Sequence, residues 1–343
     1  LIENVKGGSY FESPTTVKDT NGNLIKVPQG FKIAQDSGIN VTEGIVIEDK
    51  LGNQFVWVPV DGKTIKYEQD KSYNGADDKE HYYYHEETNK TVIYDDWEDN
   101  DRNSQSVATY GGFYIARYEA GIPTSADFYP TNNDMQYDDA TKKNTTSVIP
   151  VSKKGVSWSC ISQKDAEIVS ENMYKDSESV TSSLVDSYAW DTVCNYISEG
   201  KSNKSEYLRD SSLYGNYYNG TKTIRNTRYA IHTYNNGWTK ASTYGKGDIA
   251  QPNRTGRNKI EVETGASTDY STKNIYDLAG NMWEWTTEKG KHKNTSDTAT
   301  IYAVRRGGSF NDSGNVSGVY RNGSIGVETT DISTGFRVVL YIK

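Results

Sequence analysis

Few residues in this sequence have the types and spacing that catalysis or metal binding requires. His81 and His85 lie four apart with Glu86 beside them, which is the spacing of two metal ligands on one helix face. Asp, Glu, Lys and Asn crowd this stretch and no apolar stripe supports a helix, so the pattern favours a solvated insertion. The sequence contains no phosphate-binding P-loop, no GxSxG motif and no HExxH motif.

The two cysteines, Cys160 and Cys194, are too few for a disulfide framework. Two arrangements stay open. The cysteines either form one bridge between neighbouring helices or remain as buried thiols.

The composition describes a folded, polar and loop-rich protein. Hydrophobic residues make up 34% and charged residues 24% of the chain, and the mean hydropathy of −0.80 argues against a membrane span. The net charge is −8 and no run of Lys or Arg exceeds two residues, so we expect no nucleic-acid partner. The 27 tyrosines, against 7 Phe and 7 Trp, suit either a binding surface or the faces of strands.

Hydrophobic patterning places the elements that would position a site. Residues 1–53 carry short strand-like runs broken by turns, which predict a small β-rich N-terminal appendage. Strong strands are predicted at 54–60 and 111–121, and helices at 162–174 and 183–200; the first helix begins with a capping-box-like Ser162 and Asp165. Polar insertions are expected at about 61–109 and 200–270.

The least patterned segment, residues 306–327, lies between two strongly patterned ones. RRGGSF (305–310) precedes it and GFRVVLYI (335–342) follows it, and both indicate core strands. The segment itself is a mixture of Asn, Asp, Ser, Gly, Val and Tyr without a hydrophobic period. Such a segment can be an active site, a binding surface or a plain loop.

The order of FVWVPV, GGFYIARYEAG, DLAGNMWEW, RRGGSF and GFRVVL resembles the formylglycine-generating enzyme/sulfatase-modifying factor domain, a variant of the C-type lectin fold. The resemblance runs over residues 54–343 apart from the insertions. It implies an α+β domain in which two helices pack on a twisted antiparallel sheet with many loops. The first 53 residues lie outside it.

Two enzymatic activities of this family do not fit the sequence. The oxidase that makes formylglycine uses two cysteines just after the GGS motif to bind copper, and the equivalent positions here are Asp312 and Ser317. Soft Cu(I) requires thiolate ligands, which neither residue supplies. The related iron-dependent sulfoxide synthases use several histidines, and the four here lack ligand spacing outside the 61–109 insertion. We therefore expect neither copper nor iron.

A third group of relatives, the variable proteins of diversity-generating retroelements, uses the same fold to present a diversified binding surface. There, adenines are randomised, typically in AAC-type codons, which cannot then encode Lys, Glu, Gln, Met or Trp. Residues 306–327 contain none of these five types, although they account for 65 of the 343 residues. A turn-rich stretch of Gly, Ser and Asn has a similar bias without diversification, so both readings stay open.

The segment offers residue types that binding loops use on rigid scaffolds. The resemblance and this chemistry predict nine ligand-binding residues: Asn311, Asp312, Ser313, Asn315, Ser317, Val319, Tyr320, Asn322 and Ser324. We expect Arg321 to pair internally and hold the segment. The Tyr-, Asn- and Trp-rich stretch at 229–246 is expected to extend the surface.

The stretch YDLAGNMWEW also resembles the calcium-binding stretch of the family. By position, Asp277 and Glu284 would supply carboxylate oxygens, and Gly280 and Met282 backbone carbonyls, to a structural Ca²⁺. The alternative is that Glu284 caps or pairs internally, while Trp283 and Trp285 belong to the core.

Together these features predict a non-enzymatic, ligand-binding protein with a diversified C-terminal surface. Its partner would be a protein or glycan on another cell or surface, and its location the cell exterior, a bacterial cell surface or a phage virion. The chain opens at Leu1 rather than Met, so we expect an N-terminal anchor to membrane, pilus or virion to be missing. The alternatives are an enzyme of this fold with altered chemistry, and a structural pilus or fibre module.

Overall fold

The computed structural model describes residues 1–61, 104–123, 145–200, 207, 210–220, 229–232, 235–240, 259–293 and 299–343. For residues 104, 145, 229–240, 290–300 and 324 no side chain is described. The predicted His81–His85 pair lies outside the described residues.

Most of the described elements are short strands. They are numbered in chain order: β1 Thr15–Lys18, β2 Leu24–Val27, β3 Phe31–Ile33, β4 Val46–Asp49, β5 Gln54–Pro59, β6 Gly112–Ala116, β7 Val180–Leu184, β8 Tyr229–His232, β9 Asn235–Lys240, β10 Ile260–Val262, β11 Ser271–Thr272, β12 Ile275–Tyr276, β13 Trp283–Lys293, β14 Ala299–Arg306, β15 Arg321–Gly326, β16 Thr334–Phe336 and β17 Val338–Ile342. The α-helices are α1 Ser104–Tyr110, α2 Gln163–Asn172 and α3 Ser187–Ser198, and 3-10 turns occupy Ile2–Asn4, Thr145–Ser147 and Thr268–Tyr270.

A six-stranded antiparallel sheet in the order β3-β4-β5-β6-β17-β7 forms the centre of the fold. The predicted strands at 54–60, 111–121 and 335–342 supply β5, β6 and β17, three of its four inner strands. The boundary expected at residue 53 does not separate two sheets, because β3 and β4 precede it and pair into the same sheet as β5. Only β1 and β2 form a sheet of their own in this part of the chain.

Both faces of this sheet are buried. Along β5, Phe55 and Trp57 contribute to one apolar cluster, whereas Val56 and Val58 contribute to another. Helix α2 packs into the first cluster and helix α3 into the second. A strand covered on both faces has no polar side, and this explains the unbroken apolar runs FVWV and VVLYI.

The helices begin at side-chain caps. Ser162 accepts a hydrogen bond from the Asp165 amide at 3.1 Å, which confirms the predicted start of α2. Helix α3 begins later than predicted, because residues up to Leu184 belong to β7 and Asp186 caps the helix through the Ala189 amide at 2.7 Å. Helix α1 lies inside the expected 61–109 insertion but packs on the core through Val107.

A second, four-stranded sheet in the order β15-β14-β13-β16 carries the C-terminal segment. Strands β14 and β15 are antiparallel, and β16 runs parallel to β13. The segment 306–327, which has no hydrophobic period in the sequence, therefore contains a strand, because Arg321–Gly326 pairs with β14. Only residues 307–320 form a loop, called the 307–320 loop below.

The architecture confirms the predicted α+β class with mainly antiparallel sheets. Within the described ranges, no helix is long and apolar enough to cross a membrane.

Neither cysteine forms a disulfide, and both are buried. The Cys194 sulfur lies on α3, 3.7 Å from the Gly318 carbonyl oxygen, and burial raises the pKa of its thiol. Cys160 precedes α2 and is 7% exposed.

We expect both thiols to resist modification in the native protein, because a buried neutral thiol is a poor nucleophile. Ellman's reagent should titrate no thiol before unfolding and two after it. Rapid native labelling, or fewer than two thiols in denatured and unreduced protein, would contradict this arrangement.

Candidate ligand-binding face

The 307–320 loop leaves β14 through two glycines in left-handed conformations. Gly307 has φ +90° and Gly308 has φ +71°. A Cβ at these positions would lie 2.8 Å from the Leu278 carbonyl oxygen and 2.5 Å from the Val316 carbonyl oxygen, respectively. The GG of RRGGSF is thus required both by backbone geometry and by close packing.

The backbone of the loop is held by groups from the rest of the domain. The Trp190 indole donates to the Gly318 carbonyl at 2.8 Å, and the Ser211 amide donates to the Gly314 carbonyl at 2.7 Å. The Tyr218 amide donates to the Asp312 carbonyl at 3.0 Å. These bonds arrive from α3 and from residues 210–220, so the path of the loop is set by the scaffold.

A buried ionic network holds both ends of the loop. Asp191 on α3 bonds Arg306 through one carboxylate oxygen and Arg321 through the other, the latter at 3.2 Å. Arg321 also donates to Glu288 on β13 at 2.9 Å. All four side chains are at most 3% exposed, and two guanidiniums face two carboxylates. The expectation that Arg321 pairs internally is correct.

Arg306 extends this network to the loop backbone. Its guanidinium donates to the carbonyls of Val319 at 3.0 Å and Tyr320 at 3.3 Å. The last two residues of the loop are therefore fixed by the residue that precedes its first glycine.

Part of the predicted binding set faces inward. Ser317 and Val319 are 3% and 4% exposed, and Val319 packs in the apolar cluster around α3. The prediction that these two residues contact the ligand is corrected: both are buried and support the loop from within. Asp312 is half-buried, and its carboxylate accepts hydrogen bonds from the Ser309 amide at 2.9 Å and hydroxyl at 2.7 Å. Burial raises the pKa of Asp312 despite these bonds.

The remaining predicted residues with described side chains reach the surface. We call them the contact face: Asn311, Ser313, Asn315, Tyr320 and Asn322. Asn315 is exposed and the other four are half-buried. The side chain of Ser324, on β15, is outside the described part of the structure.

An aromatic–cation stack borders the contact face at Tyr320. The Tyr320 ring lies 5.9 Å from the ring of Trp283, and the Arg305 guanidinium lies 4.7 Å from the same tryptophan ring. Arg305 donates to Thr334 at 2.7 Å. Trp283, expected as a core residue, is buried beneath the one large aromatic side chain of the face.

The loop is flanked by residues 210–220, which contact it directly, and by Lys259, which donates to the Asn311 carbonyl at 2.8 Å. The predicted extension of the surface at 229–246 contains β8 and β9, which pair in a sheet with β10. No side chain of that stretch is described, so the extension stays a prediction. Sequence reasoning missed residues 210–220, although SSLYGNYYNG has the same Tyr, Asn, Ser and Gly chemistry as the loop.

The stretch predicted to bind calcium forms a tight turn behind the face. Asp277, Gly280 and Asn281 all have positive φ. Asp277 accepts hydrogen bonds from the Thr264 hydroxyl at 3.0 Å and the Gly265 amide at 2.9 Å. Gly280 donates its N–H to the Gly307 carbonyl at 2.9 Å, so this turn also supports the loop.

Glu284 pairs with Arg337, the arginine of GFR. The guanidinium donates to both carboxylate oxygens at 2.7 and 2.9 Å, and it also reaches the Ala116 and Tyr276 carbonyls. The internal pairing that was the alternative to calcium is thus present. The positive charge of Arg337 therefore has to offset three buried carboxylates, those of Glu284, Asp277 and the nearby Glu119.

The donor set nevertheless has the chemistry of a hard-cation site. Burial raises the pKa of Asp277 to about 6, and the pKa of Glu119 is raised by burial and then by the charges of Asp277 and Glu284. Carboxylates and the Gly280 and Met282 carbonyls are oxygen ligands of the kind that Ca²⁺ takes. In the described residues, no three acidic, His or Cys side chains converge as metal ligands. A calcium ion here would therefore depend on backbone oxygens.

Comparison with known proteins finds a family model that is similar to the C-terminal part of the chain. Residues 187–342 match the model of the sulfatase-modifying factor enzyme 1-like domain. This match covers less than half of the chain and agrees with the resemblance seen in the sequence. The search of curated proteins found no match.

Solved structures with a similar fold are distant. The crystal structure of CarF is 12% identical, with a TM-score of 0.37, and the match covers 68% of this chain and 87% of that one. The Major Tropism Determinant U1 variant is 14% identical with a TM-score of 0.34, covering 97% of this chain and 68% of that one. The P3c variant is 13% identical with a TM-score of 0.32, covering 68% and 51%. Likeness at this level carries no functional argument.

Replacing Asp191 should destabilise the part of the fold that holds the 307–320 loop. Asp191→Ala leaves two buried guanidiniums short of a partner, and we expect a loss of about 3–5 kcal/mol in the free energy of unfolding by urea. Glu328→Ala is the control, because it removes an exposed partner of Lys164 and should cost far less than the loss of Asp191. Equal losses for both variants would contradict the role of the network.

Proposed function

We propose that this protein is a non-enzymatic recognition protein whose contact face binds a protein or glycan on another surface. The observation that carries the proposal is the division of the 307–320 loop into a held backbone and outward side chains. Hydrogen bonds from Trp190, Ser211 and Tyr218 fix the backbone. The side chains of the contact face take no part in those three bonds, so a change of side chain there leaves these bonds in place.

At two glycines of the loop, other parts of the domain approach the backbone too closely for a side chain to fit. A Cβ on Gly314 would lie 2.2 Å from the Ser212 nitrogen, and one on Gly318 would lie 2.7 Å from the Tyr207 hydroxyl. Side-chain variation is thus sterically excluded at these glycines, whereas Ser313 and Asn315, on either side of Gly314, reach the surface. This pattern is what a diversified loop on a constant scaffold requires, and it supports a variable protein of the diversity-generating type.

The chemistry of the face supports adaptable binding. Asn and Ser provide donors and acceptors, and Tyr320, backed by Trp283, provides one large aromatic anchor. Such a face suits a partner met outside the cell, at a cell surface or on a virion.

The enzymatic alternative finds little support at the same place. The positions of the oxidase thiols hold Asp312, bonded to Ser309, and the buried Ser317. Cys194 lies beneath Gly318, but a single buried thiol does not replace a pair. Specific Cu(I) binding, or oxidation of a cysteine-containing peptide by the purified protein, would favour the enzyme over a recognition protein.

Two libraries test the proposal. One randomises the contact face with the residue set that AAC-type codons can reach, and the matched library randomises the buried Phe310, Ser317 and Val319. We expect most members of the first library to fold with a wild-type melting midpoint, and selection on unrelated immobilised proteins and a polysaccharide to enrich binders. The second library should mostly fail to fold.

Equal failure of both libraries would favour a structural role for the loop in a fibre or pilus. At the level of DNA, a near-identical repeat that differs from this segment only at adenines, near a reverse-transcriptase gene, would establish diversification.

We also propose that the turn at 277–284 binds a structural Ca²⁺ through Asp277, Glu284 and the Gly280 and Met282 carbonyls. An ion that binds only the native state raises stability by about 4 kcal/mol at a thousandfold excess over Kd. The melting midpoint should therefore rise by several degrees between chelator and saturating calcium. An unchanged midpoint would remove calcium from this turn.

A further inference from the structure

Residues 210–220 form two turns with a buried base between them. The first turn closes where the Tyr214 amide donates to the Ser211 carbonyl at 2.8 Å, and the second where the Gly220 amide donates to the Tyr217 carbonyl at 2.9 Å. Each bond joins residues three apart, which is the hydrogen bond of a β-turn. The two central residues of each turn therefore lie at its tip.

The base of the two turns is held inside the domain. Tyr217 donates its hydroxyl to the Gly307 carbonyl at 2.7 Å, and the Asn216 side-chain amide donates to the Ile260 carbonyl at 3.0 Å. The side chains of Tyr217 and Asn216 are both 0% exposed. Buried groups therefore fix the path of the two turns, in the same way as they fix the path of the loop.

Hydrogen bonds also hold both turns directly against the 307–320 loop. The Gly314 carbonyl accepts from the Ser211 amide at 2.7 Å, and the Gly314 N–H donates to the Asn219 side chain at 3.0 Å. Gly314 thus lies between the first turn and the second. The residues on either side of Gly314 belong to the contact face, so the turns and the contact face are neighbours.

The tips of the turns carry two large side chains that reach the surface. Leu213, at the first tip, is 49% exposed. Tyr218, at the second tip, is half-buried, and the Lys259 ammonium lies 5.0 Å from its ring centroid. The bonds that hold the turns and the loop use backbone atoms or other side chains. Both residues also lie outside the segment 306–327, so they keep their identity whatever that segment contains.

A protein is the partner that these tips fit. The contact face has five residues, whereas a standard protein interface uses about 20–30 residues a side, so a protein partner must extend over the neighbouring turns. An aliphatic side chain such as Leu213 gains when apolar atoms of a partner remove it from water, which sugar hydroxyls do not do. Tyr218 adds aromatic area of the kind that is enriched in protein interfaces.

We propose that the contact face and the two turn tips, Leu213 and Tyr218, form one composite surface for a protein partner. This inference rests on the proposed recognition function and names the class of its partner. A diversified contact face would change from variant to variant, whereas the turn tips would supply the same apolar and aromatic area to each. Since a few large side chains carry most of the energy of a protein interface, removing either tip should weaken every such complex.

Binders from the library that randomises the contact face test this surface. The library is selected on immobilised lysozyme, immobilised serum albumin and dextran, and Leu213→Ser or Tyr218→Ser is then introduced into each binder. We expect the Kd for lysozyme or albumin, measured by surface plasmon resonance, to rise at least about tenfold. The melting midpoint should stay unchanged, because neither side chain makes a bond that holds the turns.

Two matched controls lie in other parts of the surface. Leu51, in the turn between β4 and β5, is 72% exposed. Tyr10 is half-buried, and the Lys32 ammonium lies 5.0 Å from its ring centroid, as Lys259 does from Tyr218. Leu51→Ser and Tyr10→Ser should therefore leave the Kd of the same binders unchanged.

The outcomes separate the composite surface from the proposed function. Protein binders whose Kd is the same in all four variants would overturn the composite surface and leave the recognition function standing. A loss of affinity that occurs only with a lowered melting midpoint, or equally in dextran binders, would also overturn it, as would a library that yields binders to dextran alone. A library that yields no binder would contradict the recognition function and the composite surface together.

Discussion

The bridge that Asp191 makes between Arg306 and Arg321 is the constraint on which the rest of the C-terminal half depends. The two arginines are directly opposite in the β14–β15 pairing, one at each end of the 307–320 loop. A buried charge pair gains little over an apolar pair in stability, but losing one partner is costly. The network therefore selects one register of β15 and one position of α3, because other arrangements leave a charge unpaired.

This constraint separates the residues that support the loop from the residues that form the contact face. Helix α3 carries Asp191 and also Trp190, whose indole holds the Gly318 carbonyl. The helix is itself fixed because it packs on one face of the six-stranded sheet. Rigidity thus passes from sheet to helix to loop backbone, and none of it depends on the side chains of the contact face.

The sequence predicted the secondary structure best where a local pattern is compatible with one element only. The strands FVWVPV and GFRVVL and the Ser162 cap were predicted correctly, because hydrophobic periodicity and capping chemistry are local properties of the sequence. Strand β15, RNGSIG, has no period and little strand propensity, and it exists because β14 pairs with it. Leu184 fits a helical stripe and a strand equally well, so the start of α3 was placed too early. The burial of Ser317 and Val319 depends on residues more than a hundred positions away, which a sequence pattern cannot report.

Buried carboxylates beneath the contact face are stabilised by two kinds of partner, arginines or hydrogen-bond donors. Glu284 is neutralised by Arg337, and the pair Asp191–Glu288 by Arg306 and Arg321, so each of these carboxylates specifies the position of a strand end. Glu119 and Asp277 are stabilised instead by hydroxyl, amide and backbone donors. Glu261 has neither kind of partner. Burial and then the charge of Glu119 raise the pKa of Glu261, so this site favours the neutral acid, which costs less to bury than a carboxylate.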